Sequence, residues 1–294
     1  MRKVVIGSRG SDLALWQANH VKAQIEKLGL EVEIKIIITQ GDAIQNLSFD
    51  KLEGKGYFTK EIENELLAKT VDIAVHSHKD LETNPPAGLM IGAVSERENP
   101  AELLLIAKNK VDATQKWNLA SNASIGTSSA RRKALVLAYR SDLEIKELRG
   151  NVPTRIQKLR DGNYDAILLA KAGVDRLKID LSEFHVEVLD PTEFVPAPAQ
   201  GVLGLQIRED DDFMKSVLRN LNNRKVKSII DIERKVLNLM DGGCQLPLGV
   251  YCPDVENAYV AYSKSSTQAA QNFHFDLTKM TSPSEEIVSV LKAL

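Results

Sequence analysis

Over the first 95 positions, short apolar runs alternate with helical spacings, the rhythm of parallel α/β units. Residues 3–6 read as a buried strand. Ser11 then stands as an N-cap, and Leu15, Ala18, Val21, Ile25 and Leu28 recur three or four apart until Gly29 closes the helix. Residues 31–39 alternate as a strand. Phe58, Ile62 and Leu66 mark a second helix, with Glu61 and Glu63 near its positive end. Residues 71–76 and Leu89–Val94 follow as strands, separated by the breaker Asn84-Pro85-Pro86.

The polar stretch at 95–100 predicts a crossing into a second domain, with strands at 103–107, 123–126, 143–148 and Ala166–Ala170. Helices should begin near Ser128 and near Pro153, a proline that suits a first helical turn. Residues 196–201 are a second crossing, followed by a strand at 202–207. Two helical patterns come after Asp210-Asp211-Asp212, the later one ending with Ile229, Ile232, Val236 and Met240. Strands near Val250 and at 259–262 and a closing helix complete the chain. No internal repeat stands out. The pattern predicts two α/β halves with a cleft between them, at the carboxyl ends of parallel strands where such folds take ligands.

Composition narrows the class. The 294 residues are 43% apolar and 27% charged, the balance of a globular protein with a sizeable core. A formal charge of −2 argues against a dedicated nucleic-acid binder, and no apolar run approaches the ~18 residues of a membrane span. After Met1-Arg2-Lys3 only Val4-Val5-Ile6 precedes Gly7, far short of a signal-peptide core, so a cytoplasmic location is expected. Two cysteines, Cys244 and Cys252, make neither a disulfide framework nor a four-cysteine zinc site. The net charge hides a local excess: positions 126 to 176 hold eleven bases and six acids, a balance of +5.

Six fragments could carry chemistry. Residues 75–80, Val-His-Ser-His-Lys-Asp, deliver Ser77, Lys79 and Asp80 to a strand end. Asp80 there either caps a turn or serves as a carboxylate kept ionised by neighbouring cations. His76 and His78 share a strand face, but no clustered ligands complete a metal set. Ser8-Arg9-Gly10-Ser11 combines a strand end, an arginine and a helix start, a reasonable carboxylate site. Gly54-Lys55-Gly56 is glycine-rich and basic without the spacing of a phosphate-binding loop. Gly126-Thr127-Ser128-Ser129-Ala130-Arg131-Arg132 offers hydroxyls, helix-start donors and two arginines for carboxylates or phosphates. Arg149-Gly150-Asn151-Val152-Pro153-Thr154-Arg155 repeats that arrangement after the next strand, and Arg176 follows another. Finally, Cys244 lies in the loop Gly242-Gly243-Cys244-Gln245-Leu246-Pro247, where an exposed thiol can attack electrophiles. Cys252 reads as a core residue.

Together these strings, HSxKD, GTSSxRR, LRGNVxTR and GGCQxPxG, resemble the porphobilinogen deaminase (hydroxymethylbilane synthase) family over nearly the whole chain. The resemblance implies two type II periplasmic-binding-protein-like α/β domains flanking a cleft, and a smaller α+β C-terminal domain. Their expected spans are 1–95 with 197–215, then 96–196, then 216–294. It implies a monomeric enzyme that joins four porphobilinogen molecules head to tail into hydroxymethylbilane. It also implies a dipyrromethane cofactor bound by a thioether to Cys244. Asp80 matches the family's catalytic aspartate, and Asp42 another acid at the cofactor. Arg9, Ser11, Ser77, Lys79, Thr127, Ser128, Ser129, Arg131, Arg132, Arg149, Gly150, Arg155 and Arg176 match positions that bind cofactor or substrate. Lys51 and Lys55 fall in a loop held to cover the cleft, and Phe58 and Gln200 match residues lining it. The chain departs from the family at His78, commonly methionine, and at Leu81-Glu82-Thr83, which lacks a usual proline. Glu53 and Gln40 replace a frequent glycine and arginine.

Two other classes compete. A solute-binding module would need the cleft and arginines but neither Asp80 nor a reactive cysteine. A metal-dependent hydrolase would need partners for His76 and His78.

Overall fold

The computed structural model describes residues 3–39, 59–243 and 245–294. The chain divides into two compact units, Met1–Glu98 with Gly201–Ser228, and Asn99–Gln200 with Ile229–Leu294. Among the described residues no helix is long and apolar enough to cross a membrane.

The first unit is built on a five-stranded sheet: β1 (Val4–Ser8), β2 (Val32–Ile36), β3 (Ile73–Ser77), β4 (Leu89–Val94) and β10 (Leu203–Arg208), in the order β2-β1-β3-β10-β4. β1 pairs in parallel with β2 and β3, whereas β10 is antiparallel to both β3 and β4. Helix α1 (Asp12–Glu26) buries Ala18, Val21 and Ile25 against β1 and β3, the face that the three-or-four spacing predicts. Helix α2 (Lys60–Leu67) buries Ile62 and Leu66 on the other side, with Ile37, Val71 and Leu89. Helix α6 (Asp212–Arg219) closes the first face with Met214, Val217 and Leu218.

The second unit repeats this plan. β5 (Glu102–Ala107), β6 (Ser124–Gly126), β7 (Glu144–Lys146), β8 (Ala166–Ala170) and β9 (Phe184–Leu189) form a sheet of order β7-β6-β8-β5-β9, with β5 antiparallel to both neighbours. In each sheet, then, the strand that follows a crossing lies fourth and runs reversed. Helices α3 (Ala130–Tyr139), α4 (Val152–Arg160) and α5 (Lys171–Leu177) follow β6, β7 and β8. Helix α7 (Arg224–Leu239) runs from the first unit into the second. It packs Val236 and Leu237 beneath an antiparallel sheet of β11 (Leu248–Tyr251), β12 (Asn257–Tyr262) and β13 (Gln271–Asp276), which α8 (Pro283–Lys292) also covers.

Most elements lie within two residues of the sequence expectation. Three short ones escape it. β9 and β13 are sheet edges whose polar residues, His185 and Glu187 in one and Asn272 and His274 in the other, interrupt any apolar run. Helix α5 has seven residues, too few for a period to show.

Candidate functional site

In the first unit the parallel strands deliver polar residues to their carboxyl ends. β3 ends at Ser77, and the next three residues, His78–Asp80, form a single 3₁₀ turn. That turn leaves His78 buried, Lys79 half-buried and Asp80 exposed. A buried strand followed at once by a tight turn is what lifts the carboxylate out of the sheet. Ser77 is held from α1: the buried Gln17 donates Nε2 to its hydroxyl at 2.8 Å. Gln17 is a residue that sequence reasoning passed over. Its signal was a polar side chain on the apolar stripe of a helix, beside Ala18 and one turn before Val21.

Arg9 follows β1 half-buried, and Ser11 occupies the N-cap of α1 with extended backbone. Its hydroxyl accepts none of the helix N–H groups, contrary to the capping role its position suggested. The donors at this helix start therefore face their surroundings without a side-chain cap.

His76 is a different case from Asp80. It lies inside the sheet, with Nε2 3.2 Å from Gln206 Oε1, while Gln206 donates its amide nitrogen to Glu63 at 2.9 Å. Because the carboxylate only accepts, Gln206 presents its oxygen to His76, which must carry its proton on Nε2. Burial pushes the His76 pKa down to about 4, against the bond to Gln206 and with help from the nearby Arg9 charge. Among the described residues no three His, Cys, Asp or Glu side chains gather as a metal site.

In the second unit the anion-binding candidates collect at the carboxyl ends of β6, β7 and β8. Thr127 is buried, its N–H on Lys146 O at 2.9 Å and its hydroxyl accepting from Ser129 N at 3.3 Å. Ser128 bonds Leu148 twice, donating Oγ to its carbonyl at 2.8 Å and accepting its N–H at 3.1 Å, which ties the loop after β6 to the loop after β7. Ser129 caps α3, accepting from Arg132 N. Asn151 caps α4 by accepting Thr154 N–H at 2.9 Å, with Pro153 in the first turn as its missing donor permits. Gly150 has a φ of 111°, and a Cβ there would meet Thr154 Cγ2 at 2.7 Å, so the turn between Arg149 and Asn151 calls for glycine. Arg149 and Arg155 are half-buried, and Arg155 Nε donates to Gly150 O at 2.7 Å.

Arg131 and Arg132 are almost wholly buried. Both donate to Glu102, at 2.6 and 2.7 Å, and each gives a second nitrogen to a carbonyl, Val195 for Arg131 and Leu168 for Arg132. Glu102 was not foreseen as a site residue. An acid opening a strongly apolar strand was its signal, since a buried carboxylate needs cations. Among the described residues this cluster holds two guanidinium groups against one carboxylate. Burial pulls Arg131 below its ordinary pKa, Glu102 opposes that, and Arg132 adds to it. Arg176 is buried in the last turn of α5, one helix beyond the strand end expected of it. Gln200 is wholly buried and donates Nε2 to Pro100 O at 2.8 Å. Asp42, Lys51, Lys55, Phe58 and Cys244 lie outside the described residues, as do Gln40 and Glu53.

Of the two α/β sheets, one is followed at its third strand by an exposed acid and the other ends in two buried guanidinium groups around Glu102. Known proteins place the chain in a family. Residues 4–216 match the family described as porphobilinogen deaminase, dipyromethane cofactor binding domain. The porphobilinogen deaminase of Bacillus anthracis is 44% identical over 259 residues, covering 87% of this chain and 82% of its own. That of a Nitratiruptor species is 44% identical over 255 residues, covering 87% and 80%. The chain belongs to the porphobilinogen deaminase family. Among solved structures, an ancestral cationic amino acid solute binding protein aligns over 79% of this chain and 94% of its own at 15% identity and a TM-score of 0.45. That likeness is too slight to bear on ligand or mechanism.

Proposed function

We propose that this chain is a hydroxymethylbilane synthase, condensing four porphobilinogen molecules head to tail with loss of ammonia, in tetrapyrrole (haem) biosynthesis. Membership of the porphobilinogen deaminase family supports the activity. The observation that carries the chemistry is the turn at His78–Asp80, which presents an exposed carboxylate at the end of a buried strand beside Lys79.

The reaction needs such a group. Breaking the aminomethyl C–N bond of a protonated porphobilinogen releases ammonia and leaves an azafulvenium cation. A pyrrole carbon of the neighbouring ring attacks it, forming one C–C bond, and that carbon then loses its proton. Asp80 is assigned to hold the cation and to take part in the proton transfers. Lys79, Arg9 and the donors at the start of α1 are assigned to substrate carboxylates.

The second unit suits a dipyrromethane, a group with an acetate and a propionate on each of two rings. Its sheet end holds more guanidinium than carboxylate, and Arg149 and Arg155 flank a glycine turn next to it. Thr127, Ser129, Arg131, Arg132, Arg149, Arg155 and Arg176 are the residues that would hold the group, by hydrogen bonds and by field, with Ser128 and Gly150 shaping the loops. When bound it supplies a pyrrole terminus for chain growth. Cys244 is its assigned anchor through a thioether, Asp42 an acid beside it, and Lys51, Lys55, Phe58 and Gln200 belong to the same reading. So do a cytoplasmic monomer and a three-domain division at 1–95 with 197–215, 96–196 and 216–294.

The test is the intact mass of unlabelled protein, followed by peptide mapping. An added mass of two linked pyrrole units on the peptide containing Cys244, absent from Cys244→Ala and retained in Cys252→Ala, is expected. A chain that gains no mass even after incubation with porphobilinogen would return the assignment to a solute-binding module.

A further inference from the structure

Glu233, midway along α7, is wholly buried and lies outside the residues assigned above. Its Oε2 accepts the backbone N–H of Ala199 at 2.7 Å, and its Oε1 accepts that of Cys252 at 2.8 Å. Those two amides belong to different parts of the second unit. Cys252 directly follows β11, and α7 and β11 bracket the loop 240–247 that contains Cys244. Ala199 lies in the crossing segment, next to Gln200.

The crossing segment is already close to β11. Val250 donates its N–H to Pro196 O at 3.1 Å, and a Cβ on Gly249 would stand 2.5 Å from Val195 O. Its backbone is also forced: Ala199 has a φ of 60° and Gly201 a φ of 91°, where a Cβ would stand 2.3 Å from Glu98 O. A left-handed alanine persists where the surroundings over-determine it, and here one carboxylate oxygen is aimed at its amide. Both oxygens of Glu233 are thus used as acceptors for backbone N–H groups, an arrangement that a glutamine amide can satisfy at only one of the two.

We propose that Glu233 is a positioning residue: it fixes the helix and strand that bracket the cysteine loop to the crossing segment carrying Gln200, and so sets where that loop holds the pyrroles. This rests on the reading that Cys244 carries the dipyrromethane. Glu233 is wholly buried and is assigned no substrate contact, so its effect must appear in turnover by molecules that are folded and loaded.

The experiment compares wild-type, Glu233→Gln and Glu233→Asp holoenzymes. Intact mass gives the loaded fraction, thermal unfolding gives the folded fraction, and kcat and KM for porphobilinogen are measured on the loaded fraction well below its Tm. Glu233→Gln is expected to carry the wild-type added mass while kcat falls about 10- to 100-fold, the scale of a displacement near 1 Å, with KM changed less than kcat. Glu233→Asp keeps the charge but shortens the reach, and should fall by at least as much. A lowered Tm with wild-type kcat per loaded molecule would reduce Glu233 to a stability role and overturn the proposal. Failure of both variants to fold would do the same. A wild-type protein without added mass would instead remove the reading beneath it.

Discussion

The two five-stranded sheets share one strand order and differ in where they bury charge. In both, an aspartate just before the third parallel strand accepts an N–H from the first strand. Asp72 accepts from Val5 at 3.0 Å, and Asp165 from Ser124 at 2.7 Å. In both, the reversed fourth strand carries a buried charge. In the first sheet it is Arg208, at the amino end of the parallel strands, bonded to Asp211 at 2.7 Å, to Asp72 at 3.2 Å and to two carbonyls. In the second it is Glu102, at the carboxyl end, bonded to Arg131 and Arg132. One sheet keeps its buried ion cluster at the amino end of the parallel strands, with more acid than base among the described residues. The other places its cluster at their carboxyl end, with more base than acid among the described residues. A shared scaffold thus leaves an exposed carboxylate after the third strand of one sheet and an excess of buried guanidinium in the other.

That division is most open to attack at Asp80. Asp80→Asn removes the charge and keeps the size, so turnover on protein that carries the dipyrromethane should fall about a thousandfold. A steady-state assay corrected for loaded fraction checks this, and near-normal turnover would break the contrast between the sheets. Because Asp80 is exposed and outside the core, its Tm should move by little.

The ion clusters come next. Glu102→Gln leaves two buried guanidinium groups without their carboxylate, a loss of about 3–5 kcal/mol by the rule for broken buried pairs. Asp211→Asn in the first sheet leaves Arg208 with Asp72 and should cost clearly less. Denaturant midpoints of the two variants decide the order. An equal loss would mean that the cationic excess at the carboxyl end of the second sheet has no special cost.

How far the sequence foretold this varies with the kind of residue. Strand ends bearing Arg9, Asp80, Ser129 and Arg149 were legible, because buried apolar runs stop abruptly at glycine or polar residues and each run's length fixes where the turn comes. The repeated plan of the two sheets was not. Only Ile6-Gly7-Ser8 and Ile125-Gly126-Thr127 at the first strands, and Val71-Asp72-Ile73 and Tyr164-Asp165-Ala166 at the third, mark it. Three-residue likenesses fall below what self-comparison can separate from chance. Glu102 and Glu233 were missed because their partners are distant in sequence: Glu102 meets a helix 29 residues on, and Glu233 reaches a backbone amide 34 residues back. A buried acid announces that partners exist, not which they are.

The buried histidine separates structure from chemistry within the first sheet. His76 has a native pKa of about 4 against 6.5 when exposed, so between these values the unfolded chain binds a proton that the native one does not. Its contribution is therefore complete above pH 6.5 and is lost progressively as pH falls toward 4, by about 3 kcal/mol in all. His76→Gln should flatten the pH dependence of the unfolding free energy across that window, whatever it does to the absolute value. An unchanged slope would show that other groups govern acid sensitivity.

The smallest effect concerns helix starts. Asn151 caps α4 through an accepted N–H, whereas Ser11 stands at the same position of α1 and accepts none. Asn151→Ala should cost about 1 kcal/mol, the ordinary worth of a cap, and Ser11→Ala only a few tenths. If Ser11 serves ligands instead of the helix, Ser11→Ala should raise KM for porphobilinogen severalfold while leaving the denaturant midpoint nearly unmoved. Asn151→Ala should do the reverse, shifting the midpoint with little change in KM. A Ser11→Ala variant that loses a full cap's worth of stability would show the hydroxyl capping α1 in solution, and the start of that helix would then have no claim as an anion site.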